Sequence, residues 1–116
     1  MVNRGDIWFA DLADPVESGP GYRRPVLVIQ ENEFNESPIK TIVVAMITKN
    51  VNLAKARGNV LVLPRHSGLS RDSVVNVSQL FTIDKSLFLE QVGSLSSPKM
   101  AQVDAGIRLV LALGEK

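Results

Sequence analysis

The chain has 116 residues with no Cys and one His, and Lys and Arg outnumber Asp and Glu by 13 to 12. This length favours a single domain over residues 1–116. The composition excludes disulfides, thiolate metal sites, cysteine nucleophiles and multi-histidine metal centres, so we expect no cofactor and no metal. No apolar run approaches the ~20 residues of a membrane span, and the N-terminus lacks the apolar segment of an export signal. We therefore expect a soluble cytoplasmic protein.

Positive charge is concentrated in the middle of the chain. Residues 1–36 carry three basic and seven acidic side chains, residues 37–71 carry six basic and none acidic, and residues 72–116 carry four basic and five acidic. A stretch of this length without a carboxylate is a candidate anion-binding surface. On charge alone, solvated lysines and arginines offset by acids elsewhere are the simpler explanation. Arg23 and Arg24 would shift the balance towards nucleic acid if they fold against this segment.

Apolar, β-branched runs separated by polar loops predict a sheet. The predicted strands are residues 7–12, 25–30, 41–48, 59–64 and 73–84. The run at 25–30 is apolar almost throughout, which is typical of a strand buried on both faces. The last run loses its alternation near Gln79, which predicts a bend or bulge. Loops are predicted at 13–23, 31–40, 49–57 and 65–72, and the pattern of residues 85–95 is ambiguous.

The C-terminal segment has the pattern of an amphipathic helix. Ser97-Pro98 predicts its start, with a hydroxyl N-cap followed by proline at the first helical position. One apolar stripe recurs at helical spacing: Met100, Val103, Ile107, Val110 and Leu111. Asp104 and Arg108 are four residues apart on another face, and Gly114 is placed to end the helix. Strands in series followed by a helix predict a mostly β protein, a small antiparallel barrel or curled sheet with a C-terminal helix.

Arg24 and Thr48 form the candidate chemical site. If strands 25–30 and 41–48 are antiparallel neighbours, the two residues lie at the same edge of the sheet, within side-chain reach. Pro25 restricts Arg24 to an extended backbone. The loops at 13–23 and 49–57 leave the sheet at the same edge. One end of the sheet would thus combine a guanidinium, a hydroxyl, two loops and most of the positive charge.

These two groups suit RNA cleavage. In the metal-free reaction the ribose 2′-hydroxyl attacks the adjacent phosphorus and expels the 5′-oxygen of the next nucleotide. The protein must then neutralise charge on the phosphoryl oxygens and move protons at the attacking and leaving oxygens. The planar fork of an arginine holds two phosphate oxygens and keeps its charge. A threonine hydroxyl can bind a non-bridging oxygen or orient the nucleophile.

Each candidate residue also has a simpler explanation. Arg24 could pair with Glu17 or another acid of residues 1–36, and Thr48 could be an ordinary β-branched strand end. A lone loop histidine such as His66 is more often exposed and idle than a general base. Three polar residues interrupt an apolar strand, which predicts a groove, a subunit boundary or hydrogen-bonding roles: Asn76, Ser78 and Gln79.

Five short motifs occur in the order and spacing of the MazF/PemK/Kid toxins, which the chain resembles over essentially its whole length. They are Gly-Asp-Ile-Trp at 5–8, Arg-Pro-Val-Leu-Val-Ile at 24–29, Ile-Thr at 47–48, Asp-Ser-Val-Val at 72–75 and Thr-Ile-Asp-Lys at 82–85, followed by Val92-Gly93 and the closing helix. The resemblance implies an SH3-like, CcdB-like barrel, a homodimer and a sequence-specific, metal-independent endoribonuclease (an mRNA interferase). Such toxins leave 2′,3′-cyclic phosphate and 5′-hydroxyl ends on single-stranded RNA. A cognate antitoxin silences them by placing its tail in the RNA groove.

By this resemblance Arg24 matches the arginine that stabilises the phosphate, and Thr48 matches a catalytic threonine. The chain departs from the family pattern at two places. Many relatives have Gly-Ser-Glu where this chain has Glu-Ser-Gly at 17–19, and some have a catalytic acid and arginine where this chain has Ser78 and Asn76. The general base therefore stays open between Glu17, a bound water and no dedicated base. Substrate contacts are expected from seven polar residues: Arg23, Lys49, Asn50, Arg57, Asn76, Ser78 and Gln79.

Two other functions compete with the ribonuclease. One is a gyrase poison of the CcdB type, although that family ends in an aromatic tail and this chain ends in Leu-Ala-Leu-Gly-Glu-Lys. Cleaved DNA trapped by gyrase, with RNA left intact, would favour this function. The other is a non-catalytic nucleic-acid-binding barrel, which would retain RNA without forming product ends.

Overall fold

The computed structural model describes residues 1–12 and 23–114. Six antiparallel strands form one curled sheet, ordered β4-β5-β3-β2-β1-β6. The strands are β1 (Asp6–Asp11), β2 (Arg23–Val28), β3 (Thr41–Thr48), β4 (Val60–Val62), β5 (Ser73–Asp84) and β6 (Phe88–Ser94). The helices are α1 (Asn32–Asn35), α2 (Pro64–Ser67) and α3 (Ser97–Val110), with 3₁₀ turns at Val51–Lys55 and Lys85–Leu87. The predicted fold class, an antiparallel curled sheet with a C-terminal helix, is confirmed.

The sheet buries apolar side chains on both faces. The helix-side core contains Ile7, Leu27, Ala45 and Ile47 together with Met100 and Val103 of α3. The opposite core contains Ala10, Val26, Val28, Val44, Met46 and Ile83. Successive residues of a strand point to opposite faces, and both faces of β2 are covered, since residues 26, 27 and 28 are fully buried. The prediction of a strand buried on both faces is confirmed.

A bulge in β5 falls where the apolar alternation is lost. Ala45 pairs with Leu80 but Met46 pairs with Asn76, so residues 77–79 have no partner on β3. Asn76 Oδ1 accepts hydrogen bonds from Ser78 N at 3.2 Å and Ser78 Oγ at 2.8 Å. These polar groups replace ladder hydrogen bonds, and the bulge predicted near Gln79 is confirmed.

The predicted loops contain short elements that the sequence pattern does not reveal. Residues 31–40 include α1, residues 49–57 include a 3₁₀ turn and residues 65–72 overlap α2. Residues 85–95, whose pattern is ambiguous, include a 3₁₀ turn and β6. The predicted strand at 59–64 is wrong at both ends, because only Val60–Val62 pair with β5. Elements of three to five residues are too short to show a periodicity, and local caps such as the Asn50 side chain decide them instead.

Both ends of α3 differ from the prediction. The N-cap is Ser96 and not Ser97, because Ser96 Oγ accepts from Lys99 N at 3.4 Å. The helix ends at Val110, before Gly114. There Ala112 adopts a left-handed φ of 59°, its N–H donates to Leu109 O, and Leu113 N donates to Arg108 O at 2.8 Å. This is a Schellman ending that uses alanine where glycine is usual.

The apolar stripe of α3 is only partly buried. Met100 and Val103 belong to the core and Ile107 packs against it, but Val110 and Leu111 are 43% and 51% exposed. The helix packs on β5 and the short β4, and residues 108–110 of its last turn are exposed. No helix within residues 1–12 and 23–114 is long and apolar enough to cross a membrane.

The face of α3 that carries Asp104 also differs from the prediction, because the spacing of four residues suggests a contact between Asp104 and Arg108. Asp104 forms an ion pair with Arg4 at 2.5 Å, so this carboxylate fastens the helix to the N-terminal segment. Arg4 Nε also donates to Ile29 O at 2.9 Å. Arg4 thus joins α3 to the end of β2.

Candidate active site

The register of β2 and β3 brings Arg24 and Thr48 together. Val26 lies opposite Met46, and Leu27 opposite Ala45, in an antiparallel pair. Continuing this register by two residues places Arg24 opposite Thr48 at the end of the sheet. Both residues line one cavity of about 700 Å³, which we call the main cavity. The predicted juxtaposition is confirmed, and the catalytic roles of the two residues stay predictions.

The two adjacent arginines have different surroundings. The Arg23 guanidinium pairs with Glu90 at 2.7 Å and lies 4.7 Å above the centroid of the Phe9 ring. No carboxylate in the described ranges pairs with Arg24, and Glu17, its suggested partner, lies outside them. Neighbouring strand residues face opposite ways, which is why Arg23 and not Arg24 reaches Glu90. Among the described residues the Arg24 guanidinium therefore has no carboxylate partner, and its donors can bind an anion.

The Thr48 hydroxyl is oriented by its own loop. Thr48 Oγ1 accepts a hydrogen bond from Asn50 N at 3.1 Å. Asn50 Oδ1 in turn accepts from Asn52 N at 3.2 Å and begins the 3₁₀ turn. A hydroxyl has one donor and two acceptor positions, so Thr48 keeps its O–H to donate to a ligand oxygen.

The main cavity has a positive lining. Among the residues that the structure describes, its charged lining consists of the cations Arg23, Arg24, Lys49 and Arg71 and the carboxylate of Glu90. Because Glu90 is paired with Arg23, the cavity presents a surplus of positive charge suited to a phosphodiester. Sequence reasoning missed Arg71 and Glu90. Arg71 belongs to the acid-free block, which was a signal, but the ambiguous pattern of residues 85–95 gave no position for Glu90.

Backbone packing holds the far wall of the main cavity, residues 68–71. Gly68 has a φ of 80°, and its Cα lies against Gly93 of β6. A Cβ on Gly93 would collide with the Ser67 carbonyl, so the two segments approach closely only with glycine there. Buried Leu69 follows, its N–H donating to Ser67 Oγ at 3.0 Å. This wall presents Arg71 to the cavity.

His66 supports that wall instead of lining the cavity. Its Nδ1 accepts a hydrogen bond from Leu63 N at 3.0 Å and fixes the first turn of α2. Partial burial lowers the pKa of His66, and the positive charges of Lys99 and Arg65 lower it further. The expectation of an exposed and idle histidine is wrong, because the half-buried ring accepts a structural hydrogen bond at Nδ1.

Arg24 also lines a second cavity of about 510 Å³, which we call the side cavity. Its other lining residues are Asp11, Leu12, Met46, Gln79, Phe81, Ile83 and Leu87. Arg24 is thus the residue at which the two cavities meet. No group of three or more His, Cys, Asp or Glu side chains within the described ranges is arranged to hold a metal ion.

The other predicted substrate-binding residues divide between these places. Arg23, Lys49 and Asn50 line the main cavity, and Gln79 lines the side cavity. Asn76 and Ser78 form the bulge of β5, and Asn76 is only 7% exposed. Neither they nor the exposed Arg57 line either cavity. Residues 13–22 of the predicted first loop lie outside the described residues.

Comparison with known proteins identifies the family. The model for the "PemK-like, MazF-like toxin of type II toxin-antitoxin system" matches residues 3–111. The chain belongs to the PemK/MazF toxin family. It is 42% identical over 113 residues to endoribonuclease MazF6 of Mycobacterium tuberculosis, covering 97% of this chain and 99% of that protein. It is 39% identical to endoribonuclease EndoA of Bacillus subtilis, covering 97% of each.

Solved structures of MazF toxins share the fold. An endoribonuclease from a mycobacterial species, in complex with its cognate antitoxin, superposes with a TM-score of 0.82 at 20% identity and covers the whole of both chains. The M. tuberculosis toxin MazF-mt6 superposes with a TM-score of 0.79 at 24% identity, covering 95% of this chain and 99% of that one. The resemblance drawn from the five motifs is therefore confirmed for the family and the fold.

Proposed function

We propose that this MazF-family toxin is an endoribonuclease that cleaves single-stranded RNA at the main cavity, without a metal ion and at a preferred sequence. The observation that carries the proposal is the shared cavity of Arg24 and Thr48. Two full-length relatives bear the name endoribonuclease. The positive lining of the cavity supplies the attraction that a phosphodiester needs.

The chemistry follows from the groups present. The 2′-oxygen of the RNA attacks phosphorus, the bond from phosphorus to the 5′-oxygen breaks, and the products are a 2′,3′-cyclic phosphate and a 5′-hydroxyl. The 2′-hydroxyl loses its proton and the departing 5′-oxygen gains one. Arg24 holds the phosphoryl oxygens as charge grows on them, and the Thr48 O–H donates to one of them. The RNA supplies its own nucleophile, so no metal-bound water is required.

The same positive surface suits the regulation expected of the family. An acidic segment of a cognate antitoxin would compete with RNA for Arg24, Lys49 and Arg71 in the main cavity. The toxin would act in the cytoplasm, where its RNA substrates are. Four exposed apolar residues near the end of α3 support a homodimer, because a second copy would cover them: Leu109, Val110, Leu111 and Leu113.

Replacing Arg24 tests the proposal. The assay follows cleavage of a mixed-sequence RNA in a chelator and identifies the product ends. Losing one charge-stabilising donor costs about 10²- to 10³-fold in rate, so the cleavage rate of the Arg24→Ala protein should be lower than that of the wild type by this factor. Thr48→Val should also lose rate while Thr48→Ser retains it, since serine keeps the hydroxyl. Arg108→Ala removes an exposed charge on α3, outside both cavities, and should leave the rate unchanged.

Two results would overturn the proposal. Full cleavage by the Arg24→Ala protein would remove the main cavity from the mechanism. Loss of wild-type cleavage in the chelator, with recovery on adding a divalent cation, would remove the metal-free chemistry. Mapping the 5′-hydroxyl ends left on a mixed RNA pool gives the preferred sequence directly.

A further inference from the structure

The side cavity is built on one face of the sheet. Met46 pairs with Val26, which is two residues from Arg24, and Phe81 pairs with Val44, which is two residues from Met46. Residues two apart on a strand, and residues directly opposite across a ladder, point to the same face. Arg24, Met46 and Phe81 therefore face the same side, and the side cavity lies on it.

The lining of the side cavity has the character of a pocket for a flat, polar-edged ligand. Met46 and Ile83 are 6% and 8% exposed and form an apolar floor, while Phe81 is 48% exposed. An exposed aromatic ring beside an apolar floor is a stacking surface. Gln79 adds an amide that makes no hydrogen bond within residues 1–12 and 23–114, with both a donor and an acceptor to offer. Ligand pockets combine apolar walls with a few such polar groups.

The position of Arg24 selects the ligand. Arg24 lines both cavities, so a phosphate held by its guanidinium would lie near their junction. The nucleotide on one side of that phosphate must then lie next to the side cavity, since base and phosphate are joined through one ribose. Single-stranded RNA offers unstacked bases whose faces stack on aromatic rings and whose edges accept and donate hydrogen bonds.

We propose that the side cavity binds the base of a nucleotide flanking the scissile phosphate, with Phe81 stacking on the base and Gln79 contacting its edge. This inference rests on the proposed function, since it takes the phosphate at Arg24 to be the one that is cut. It makes Phe81 and Gln79 specificity residues on the sheet itself, in addition to any contacts from the loops.

A protein–substrate double-mutant cycle tests the stacking. The substrates are a short RNA containing the preferred site and two copies in which the base on one or the other side of the scissile phosphate is missing. Stacking of one base is worth about 5- to 150-fold. The wild-type kcat/KM should fall by that factor for one of the two abasic substrates. Phe81→Ala should already be slow on the intact RNA and should lose little more when the base is absent.

Matched variants separate stacking from general damage to the strand. Leu89→Ala removes another exposed apolar side chain, on β6 and outside both cavities, and should remain as sensitive to the missing base as the wild type. Phe81→Trp keeps an aromatic face and should restore the sensitivity. Gln79→Leu should change the base preferred at that position while leaving Arg24-dependent cleavage in place.

Binding provides a second readout that does not depend on turnover. An RNA with a 2′-deoxyribose at the cleavage site cannot react, and 2-aminopurine at the flanking position loses fluorescence when it stacks. Quenching should appear with the wild-type protein and disappear with Phe81→Ala.

The inference fails if removing the base slows the Phe81→Ala protein by the same factor as it slows the wild type. It also fails if 2-aminopurine quenching persists in that variant. It also fails if Phe81→Ala converts a dimer to a monomer, because a second copy of the chain then covers this face. Cleavage that persists after Arg24→Ala would instead overturn the proposed function. The two failures are therefore distinguishable.

Discussion

A close glycine contact between α3 and the loop before β4 gives a sharp test of the packing. Gly106 is buried in α3, and a Cβ added there would fall well inside 3.0 Å of the carbonyl oxygen of Gly58. The atoms it meets all belong to the Gly58 backbone, so no side-chain rotation can relieve the clash. Gly58 itself has a φ of 91°, a backbone conformation that residues with a side chain rarely adopt. We predict that Gly106→Ala destabilises the protein.

The magnitude is a balance of two terms of opposite sign. Alanine within a helix is favoured over glycine by about 1 kcal/mol. Forcing an extra carbon into a well-packed contact costs about 1–3 kcal/mol, and a clash against fixed backbone belongs at or above the upper end. The helix must move away from Gly58, and Met100 and Val103 move with it out of the helix-side core. The net loss should be about 2 kcal/mol or more. With an unfolding entropy of ~2.1 cal/mol/K per residue, this lowers the Tm by about 8 °C.

Thermal and urea unfolding at one fixed protein concentration measure the effect, because an oligomer makes stability depend on concentration. Ala105→Gly is the matched control: this neighbouring residue is exposed, and only the helix preference of about 1 kcal/mol should be lost. Propensity alone predicts opposite signs for the two exchanges, whereas the structure predicts a loss in both and the larger loss for Gly106→Ala. A Gly106→Ala protein as stable as the wild type, or more stable, would show that α3 does not pack against Gly58 at this distance.

Two further predictions concern the end of α3 and the protonation of His66. Ala112→Gly should raise the free energy of unfolding by about 1 kcal/mol, because a left-handed φ costs alanine roughly that much. Gly114→Ala is the control and should change this free energy little, since an added Cβ there has nothing within 4 Å. A loss of stability in Ala112→Gly would contradict the Schellman ending. Burial, Lys99 and Arg65 hold the pKa of His66 below its ordinary value of 6.5. The imidazole therefore binds a proton less readily in the folded state than in the unfolded state. The free energy of unfolding should consequently fall as the pH drops through about 6.5. His66→Gln keeps an acceptor for Leu63 N and should flatten this part of the stability–pH curve, measured by urea unfolding between pH 5 and 8 (about the range in which histidine titrates); an unchanged slope would refute the assignment.

The part of the site that could be predicted from sequence depends on local pairing. Arg24 and Thr48 lie at the ends of two consecutive strands joined by a short connection, and such strands usually pair antiparallel. The position of each residue near the end of its strand then predicts that both lie at the same edge of the sheet. The bulge of β5 was similarly readable, because Asn76 and Ser78 interrupt an apolar strand and satisfy each other.

The features that the sequence did not predict depend on contacts between segments that are distant in the chain. Glu90 enters the main cavity because β6 pairs with β1 across most of the sequence, and β6, an edge strand with many exposed residues, has no clear alternation to predict it. The last turn of α3 shows the same limit. Val110 and Leu111 follow the apolar stripe, but whether a stripe is covered depends on the length of the neighbouring strands, which the helix sequence does not contain.

The charge pattern shows why composition locates a binding surface only coarsely. Of the six cations in the acid-free block, Lys49 and Arg71 line the main cavity. Lys40 lies close enough to Asp84 to help lower the pKa of that carboxyl, which the Ser86 hydrogen bonds lower most, and Arg65 acts on His66. The other two cations of the main cavity, Arg23 and Arg24, come from the most acidic third of the chain. The positive field therefore arises where β2, β3 and the residue 68–71 wall converge, and it requires the Gly68–Gly93 contact that holds this wall in place.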